Sequence, residues 1–255
     1  MKIATWNVNS LKVRLPHVLD WLEGSQADIL CLQETKLTDE NFPADTIRAA
    51  GYEVAFSGQK TYNGVAIISK QTAADIITDV PGLNDPQRRI LGATIDGVRV
   101  LNLYVVNGQE VDSEKYTHKL HWLEKVTEYI ESQLREHEHF VVLGDFNIAP
   151  EDRDVYDPEA WHERILCSTP EREALQKILG LGLSDVFRRF DQEDNSFSWW
   201  DYRAGAFRRN RGLRIDLILA SQALADDCTA CTIDKEPRWL ERPSDHTPII
   251  AEFNL

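Results

Sequence analysis

Seven short apolar runs, rich in β-branched residues, set the tightest limit on what this chain can fold into. They cover residues 3–8, 29–32, 65–68, 98–106, 140–143, 215–219 and 248–250. Several are apolar at consecutive positions instead of alternating, and strands of that kind are covered on both faces. Helical patterns lie between them. Over residues 113–136, Tyr116, Leu120, Leu123, Val126, Ile130 and Leu134 recur at steps of three or four, which predicts one helix with one buried stripe. A second helix is predicted to open near residues 168–171, where a capping hydroxyl and Pro170 precede Leu175, Ile178 and Leu179. A third, over residues 11–23, is predicted to begin around residues 13–16, because Pro16 suits a first turn and not a helix interior. Strands interspersed with helices make a layered α/β or α+β architecture.

Composition narrows the function. With 42% hydrophobic and 27% charged residues in 255, the chain is globular and not disordered. No stretch approaches the roughly 18 uninterrupted apolar residues of a membrane span. The N-terminus enters a strand pattern directly, without the apolar core or cleavage site of a signal peptide. A cytoplasmic protein without a membrane partner is expected. Even composition and the absence of a linker or repeat predict a single domain over residues 1–255. Four cysteines are too few for a disulfide framework. Cys228 and Cys231 have the spacing of a zinc site, but Cys31 sits in an apolar run and Cys167 stands alone, so reduced, partly buried thiols are the preferred reading. The net charge of −14 repels polyanions overall. A nucleic-acid role then requires a local basic face, or metal ions held by surplus carboxylates.

Polar residues cluster where the apolar runs end. Asn7 and Asn9 are two apart, so on a strand both amides point one way. Asp145 and Asn147 repeat that geometry after the run 140–143. Gln33 and Glu34 end the run 29–32, Asp216 lies inside the run 215–219, and Asp245-His246 precedes the final strand. Singly, such residues commonly make turns or caps. Asp216 is harder to dismiss, because a carboxylate in a buried strand is costly unless paired or bound to metal. The Asp245-His246 neighbours are suggestive as well, since an imidazole needs a partner to fix its tautomer. If these strand ends converge they build an oxygen-rich site suited to Mg²⁺ or Mn²⁺ more than to zinc. A phosphodiester is an anion, so a water attacking it needs that charge neutralised and a carboxylate beside it. No Ser, Cys or Lys nucleophile with a paired base is visible, which favours direct attack by water.

In this order and spacing, Trp6-Asn7-Val8-Asn9, Gln33-Glu34-Thr35-Lys36, Gly144-Asp145-Phe146-Asn147, Arg214-Ile215-Asp216 and Ser244-Asp245-His246 resemble the exonuclease III / apurinic-apyrimidinic endonuclease family. That family belongs to the wider endonuclease/exonuclease/phosphatase superfamily. The Gly-Asp-Phe-Asn run is shared across the superfamily. More specific is Phe197-Ser198-Trp199-Trp200-Asp201-Tyr202-Arg203, followed by Asn210-Arg211-Gly212-Leu213-Arg214-Ile215-Asp216, which resembles bacterial exonuclease III closely. The resemblance spans essentially the whole chain. It implies a four-layered α/β sandwich, two packed mixed sheets flanked by helices. It implies Glu34 as principal metal ligand with Asn7 beside it, and Asp245 as a second ligand position. It also counts Asp145, which activates or orients the water, Asn147, which positions water or phosphate, and His246, which contacts the phosphate, among the metal-site residues. Asp216 would orient the imidazole, and the Tyr104 hydroxyl would touch the phosphate.

The same resemblance implies a DNA face. Residues 201–214 carry five arginines against one aspartate, +4 in an acidic chain, interleaved with aromatic rings that suit stacking on bases or sugars. Arg203, Arg208 and Arg209 are expected on the DNA, with Trp199, Leu213 and Ile215 forming an apolar pocket for a flipped-out abasic sugar. Lys60, Tyr62, Asn63 and Arg89 match positions on the DNA backbone. Gln109 and Glu110 stand where some members carry an arginine reaching into the DNA, and residues 152–167 vary within the family. The expected function is a monomeric, metal-dependent DNA-repair phosphodiesterase. It would act 3′→5′ on duplex DNA, cut 5′ to abasic sites and clear blocked 3′ ends. A lipid or inositol phosphatase is disfavoured by the Trp/Arg stretch. A non-catalytic DNA-binding module is disfavoured because Glu34, Asp145, Asn147, Asp216 and His246 are all present.

Overall fold

The apolar runs become the inner strands of two six-stranded sheets in a computed structural model that describes residues 1–255. In chain order the strands are β1 (Lys2–Asn7), β2 (Ile29–Gln33), β3 (Glu53–Ser57), β4 (Val65–Ser69), β5 (Ala74–Ile77), β6 (Ile90–Ile95), β7 (Val98–Tyr104), β8 (Phe140–Asp145), β9 (Leu183–Asp185), β10 (Asp216–Ser221), β11 (Cys228–Ile233) and β12 (Ile249–Phe253). One sheet runs β11-β12-β1-β2-β4-β3 and the other β5-β6-β7-β8-β10-β9. Each has a parallel pair at its centre, β1 with β2 and β7 with β8, and antiparallel neighbours outside it. The helices are α1 (Leu11–Ser25), α2 (Ala44–Ala49), α3 (Glu114–Glu136), α4 (Pro158–Trp161), α5 (Thr169–Gly180) and α6 (Gln222–Asp226).

Three apolar layers hold this sandwich together. Ile3, Ile67, Leu143 and Ile218 belong to the largest, pressed between the sheets. Leu103, Val142 and Leu217 meet Trp122, Val126 and Ile130 of α3 and Leu175 and Ile178 of α5 on the outside of one sheet. Leu30, Leu32 and Ile68 meet Val18, Trp21 and Leu22 of α1 and Ile47 of α2 on the outside of the other. These are the four layers expected, and they explain why β2, β4 and β8 are buried at every position. Each fully buried aliphatic side chain contributes about 1.5–3 kcal/mol. No helix is long and apolar enough to cross a membrane.

The long helix starts where the spacing put it, with the Ser113 hydroxyl accepting from Tyr116 N at 3.1 Å. In α5, Ser168 and Glu171 form a reciprocal cap that spans Pro170. Helix α1 departs from expectation: it begins at Leu11, so Pro16 lies inside it. The start is fixed from outside the helix, by Ser10 N and Leu11 N donating to the carbonyls of Glu34 and Thr35 at 2.7 and 3.0 Å. The proline then forfeits one hydrogen bond, to the carbonyl of exposed Lys12. Strand β11 carries the C-x-x-C pair; both thiols are free, and Cys231 is buried between the sheets.

Candidate active site

The sheet centres deliver their chemistry to one edge of the sandwich. Parallel pairing aligns Asn7 with Gln33 in one sheet and Tyr104 with Asp145 in the other. Antiparallel β10 enters at that edge, placing Asp216 opposite Asp145. His246 arrives on the segment leading into β12, bridged to Trp199. Close strand packing sets Asp145: a Cβ at Gly144, whose φ is +136°, would lie 1.9 Å from the Leu103 carbonyl oxygen. Glu34 and Asn147 both have positive φ, 53° and 49°. Such conformations cost energy and collect at functional sites.

Asn7 joins the sheets chemically. Its Nδ2 donates to Glu34 Oε1 at 2.8 Å and to Asp145 Oδ2 at 2.9 Å. Asp145 Oδ1 accepts from Asn147 N at 2.9 Å. His246 Nδ1 lies 2.8 Å from Asp216 Oδ2, and its Nε2 is 3.7 Å from Asp145 Oδ2. The Ser198 hydroxyl donates to the same Asp216 oxygen at 2.7 Å, while Asp216 Oδ1 is buried without a partner. Burial disfavours the charged His246 ring, but Asp216 and Asp145 outweigh it and hold its pKa up at about 10. Asp145 is pushed up to about 7, first by burial and then by Asp216 and Glu34, against the pull of His246 and the Asn7 hydrogen bond. Burial and the Glu34 and Asp145 charges keep the Tyr104 hydroxyl protonated.

Potential ligand atoms of Glu34, Asp145 and His246 all lie within 4.8 Å of one another, and with the ring charged the two carboxylates are the ones open to a cation. The donor set fits a divalent cation. Two carboxylate oxygens share one amide nitrogen, their mutual repulsion helps to raise Asp145, and a cation between them relieves it. Lys36 neutralises part of that charge, 2.9 Å from Glu34 Oε2. The other three expected metal-site residues already carry hydrogen bonds. Asn7 Oδ1 accepts from Asn9 N at 3.0 Å. Asn147 has its amide between Asn107 Nδ2 at 3.0 Å and the Val105 carbonyl at 3.1 Å. Asp245 accepts from Asn9 Nδ2 at 2.8 Å and Trp199 Nε1 at 3.0 Å, which with His246 hold its carboxyl below the usual range despite burial.

Beside the cluster, a groove of about 600 Å³ runs past Glu34, Tyr62, Asn63, Arg89, Tyr104 and Asn107. Arg89 stacks over Tyr104 at 4.5 Å. Tyr62 is 68% exposed, and Lys60 is exposed beyond it. Across the edge, Arg203, Arg208 and Arg209 are exposed. Arg214 corrects the charge reading, because it is fully buried and paired with Asp154 at 2.7 Å and Asp185 at 2.8 Å. The exposed segment therefore carries one positive charge fewer than its composition suggests. Trp199 is half-buried, whereas Leu213 and Ile215 are sealed beneath Val155, Leu166 and Cys167, so no open apolar pocket exposes all three.

The roles of several residues here are not visible in the sequence. Ser198 anchors Asp216. Gln33 Nε2 donates to Thr5 Oγ1 at 2.9 Å and Asn102 Oδ1 at 2.8 Å, tying the sheets together just behind Glu34. Lys119 is fully buried; it donates to the Asn147 carbonyl at 2.7 Å and the Asn107 carbonyl at 3.2 Å and pairs with buried Glu171. Lysine within a helical stripe carries no signal of this kind. The capping motif in which Glu171 sits was the visible half of the pair.

The chain matches the Endonuclease/Exonuclease/phosphatase family over residues 4–246. Exodeoxyribonuclease III of Haemophilus influenzae is 38% identical across 99% of this chain and 100% of its own. A solved structure of a Neisseria 3′ phosphatase bound to a product DNA hairpin is 50% identical, covers 100% of both chains and superposes with a TM-score of 0.98. An AP endonuclease structure from Archaeoglobus fulgidus is 40% identical over 100% of both chains, with a TM-score of 0.96. Fold, site and full-length similarity agree, and the chain belongs to the Endonuclease/Exonuclease/phosphatase family.

Proposed function

We propose that this chain is a DNA-repair phosphodiesterase of the exodeoxyribonuclease III type. It trims duplex DNA 3′→5′, cuts 5′ to abasic sites and clears blocked 3′ ends. The observation that carries this reading is the Glu34, Asp145 and His246 cluster at the edge where both sheets end, with the imidazole held by Asp216. Relatives named exodeoxyribonuclease III, AP endonuclease and 3′ phosphatase support the substrate. The core shared by both sheets supports one domain over residues 1–255.

In this reading Asp145 orients the attacking water and accepts its proton, while Asn7 fixes the carboxylate. The water oxygen bonds to phosphorus as the opposite phosphorus–oxygen bond breaks, and the departing sugar oxygen takes a proton from solvent water. The imidazolium of His246, kept charged by Asp216 and Asp145, donates to a phosphate oxygen and stabilises the charge that builds there. The neutral Tyr104 hydroxyl donates to the same phosphate. Asn147 holds the loop after Asp145 in place. Mg²⁺ or Mn²⁺, held by Glu34 and Asp145, would neutralise the phosphate and lower the pKa of a bound water. Lys60, Tyr62, Asn63 and Arg89 receive the DNA backbone on one side, and Arg203, Arg208 and Arg209 on the other. Abasic recognition falls to half-buried Trp199, with Leu213 and Ile215 packed behind it.

The test is a labelled duplex with one abasic site, incubated with Mg²⁺ or with excess EDTA. A break 5′ to the site, together with stepwise shortening from 3′ ends, is expected in Mg²⁺ alone. No cleavage by the folded protein would restore the reading as a binding module.

A further inference from the structure

A row of aromatic rings leads away from the catalytic edge and ends in solvent. Fully buried Trp200 is tied to that edge by its backbone, donating to the Asp245 carbonyl at 3.0 Å. Phe207 meets Trp200 edge-on at 5.0 Å between centroids, and meets Trp239 edge-on at 4.7 Å. The Arg238 guanidinium braces the row, 4.8 Å from the Phe207 ring and 5.7 Å from the Trp200 ring, and donates to the Ser244 carbonyl. Trp239 closes the row and is 64% exposed, whereas Trp6, Trp122 and Trp200 are fully buried. An indole packed against one ring and otherwise open to water is a ready stacking face.

Charge identifies what it faces. Arg203, Arg208, Arg209 and Arg211 lie on the segment that carries Phe207, and Arg242 follows Trp239 by three residues; all five are exposed and none makes an ion pair. Glu236 and Glu241 flank Trp239 on its own loop and Asp201 shares the arginine segment, and the five arginines outnumber these three acids. In a chain of net charge −14, such a patch selects a polyanion carrying flat rings. Stacking on an indole needs a base face that is free. Inside a duplex both faces of a base are taken by its neighbours, so away from the duplex ends the free faces belong to unpaired bases. Trimming a 3′ end creates them, since each nucleotide removed leaves one more unpaired base on the opposite strand.

We infer that Trp239 is a stacking platform for an unpaired base on the strand opposite a recessed 3′ end, with the surrounding arginines holding that strand's phosphates. The inference rests on the DNA-acting function above and adds which part of the DNA this loop receives. Contacts of this kind tolerate any sequence, because every base has a π face.

The experiment measures binding by the inactive Asp145→Asn protein and by its Trp239→Ala and Trp239→Phe derivatives. Two DNAs are compared, a blunt duplex and the same duplex with a recessed 3′ end facing an unpaired 5′ strand. Trp239→Ala is expected to weaken binding to the recessed DNA about tenfold and to change blunt-duplex binding less than about twofold. Trp239→Phe should restore most of the loss. In the active protein, Trp239→Ala should raise KM for the recessed DNA and leave kcat unchanged. Equal loss on both DNAs, or no loss on either, overturns the platform while leaving the nuclease assignment standing. Failure of the parent protein to bind either DNA overturns both. Melting temperatures of the variants check that they fold.

Discussion

The catalytic edge and the arginine-bearing loop beside it use polar groups in opposite ways. At the edge, Asn7, Glu34, Asp145, Asp216 and His246 are partnered with one another. On residues 201–211, Arg203, Arg208, Arg209 and Arg211 reach into solvent with no carboxylate partner. Arg214, two residues before Asp216, belongs with the buried type, held between Asp154 and Asp185. The difference is what two tasks demand. Catalysis needs groups whose orientation is settled before substrate arrives. Electrostatic capture needs charges whose counterions can be displaced.

Metal removal should break the comparison on the catalytic side most severely. In excess EDTA, cleavage should fall to background while binding to duplex DNA survives. Glu34→Gln should raise the Mg²⁺ concentration needed for half-maximal cleavage by at least about 10–100-fold, given what losing even a supporting partner of a metal ligand costs. Unchanged cleavage rates in EDTA would show that the acidic cluster needs no cation.

Next in size is the His246 and Asp216 pair. Each alanine substitution should lower kcat by about 10²–10⁴-fold. The double substitution should lose far less than the product of the two, because residues that act as a unit are not additive. Fully multiplicative losses in the four kcat values would mean that the 2.8 Å contact has no part in the chemistry.

The catalytic side was legible in the sequence because it lies at the ends of doubly covered strands. Asn7, Glu34, Asp145 and Asp216 interrupt or close apolar runs, where an unpaired polar group is expensive. The layering followed from the same runs. What stayed hidden depended on tertiary contacts. Strands β3 and β5 have exposed positions and no continuous apolar run. Helix α1 starts before Pro16 because residues 34–35 hold its first turn. Arg214 read as part of a basic stretch, since no local pattern shows that Asp154 and Asp185 converge on it. Leu213 and Ile215 read as pocket walls, and the segment 149–167 that covers them gave no sign of doing so.

Lys119 sharpens the comparison within the protein body. It is a buried charge that supports the site through the carbonyls of Asn147 and Asn107. Lys119→Met leaves Glu171 buried and uncompensated and should cost about 3–5 kcal/mol, read as a shift in the urea midpoint. Adding Glu171→Gln should recover part of that loss. A single variant as stable as the parent would mean that the pair is not buried in solution.

The smallest effect belongs to the loop. Each phosphate neutralised contributes about −0.9 to the slope of log K against log salt. Replacing Arg208 and Arg209 by alanine together should make the slope shallower by up to about 2, with little change in stability because neither side chain is packed. Trp199→Ala should leave the slope as it is, since it removes no charge.

The division of labour itself is tested most directly by measuring two quantities on the same two variants, the single-turnover cleavage rate at saturating protein and the salt dependence of duplex binding. Asp145→Asn should lose cleavage and keep the parent's salt slope. The Arg208→Ala, Arg209→Ala double variant should keep the saturated cleavage rate and bind with the shallower slope. A loss of saturated rate in the arginine variant, or a collapse of the slope in Asp145→Asn, would contradict the separation of a preorganised centre from a freely charged face.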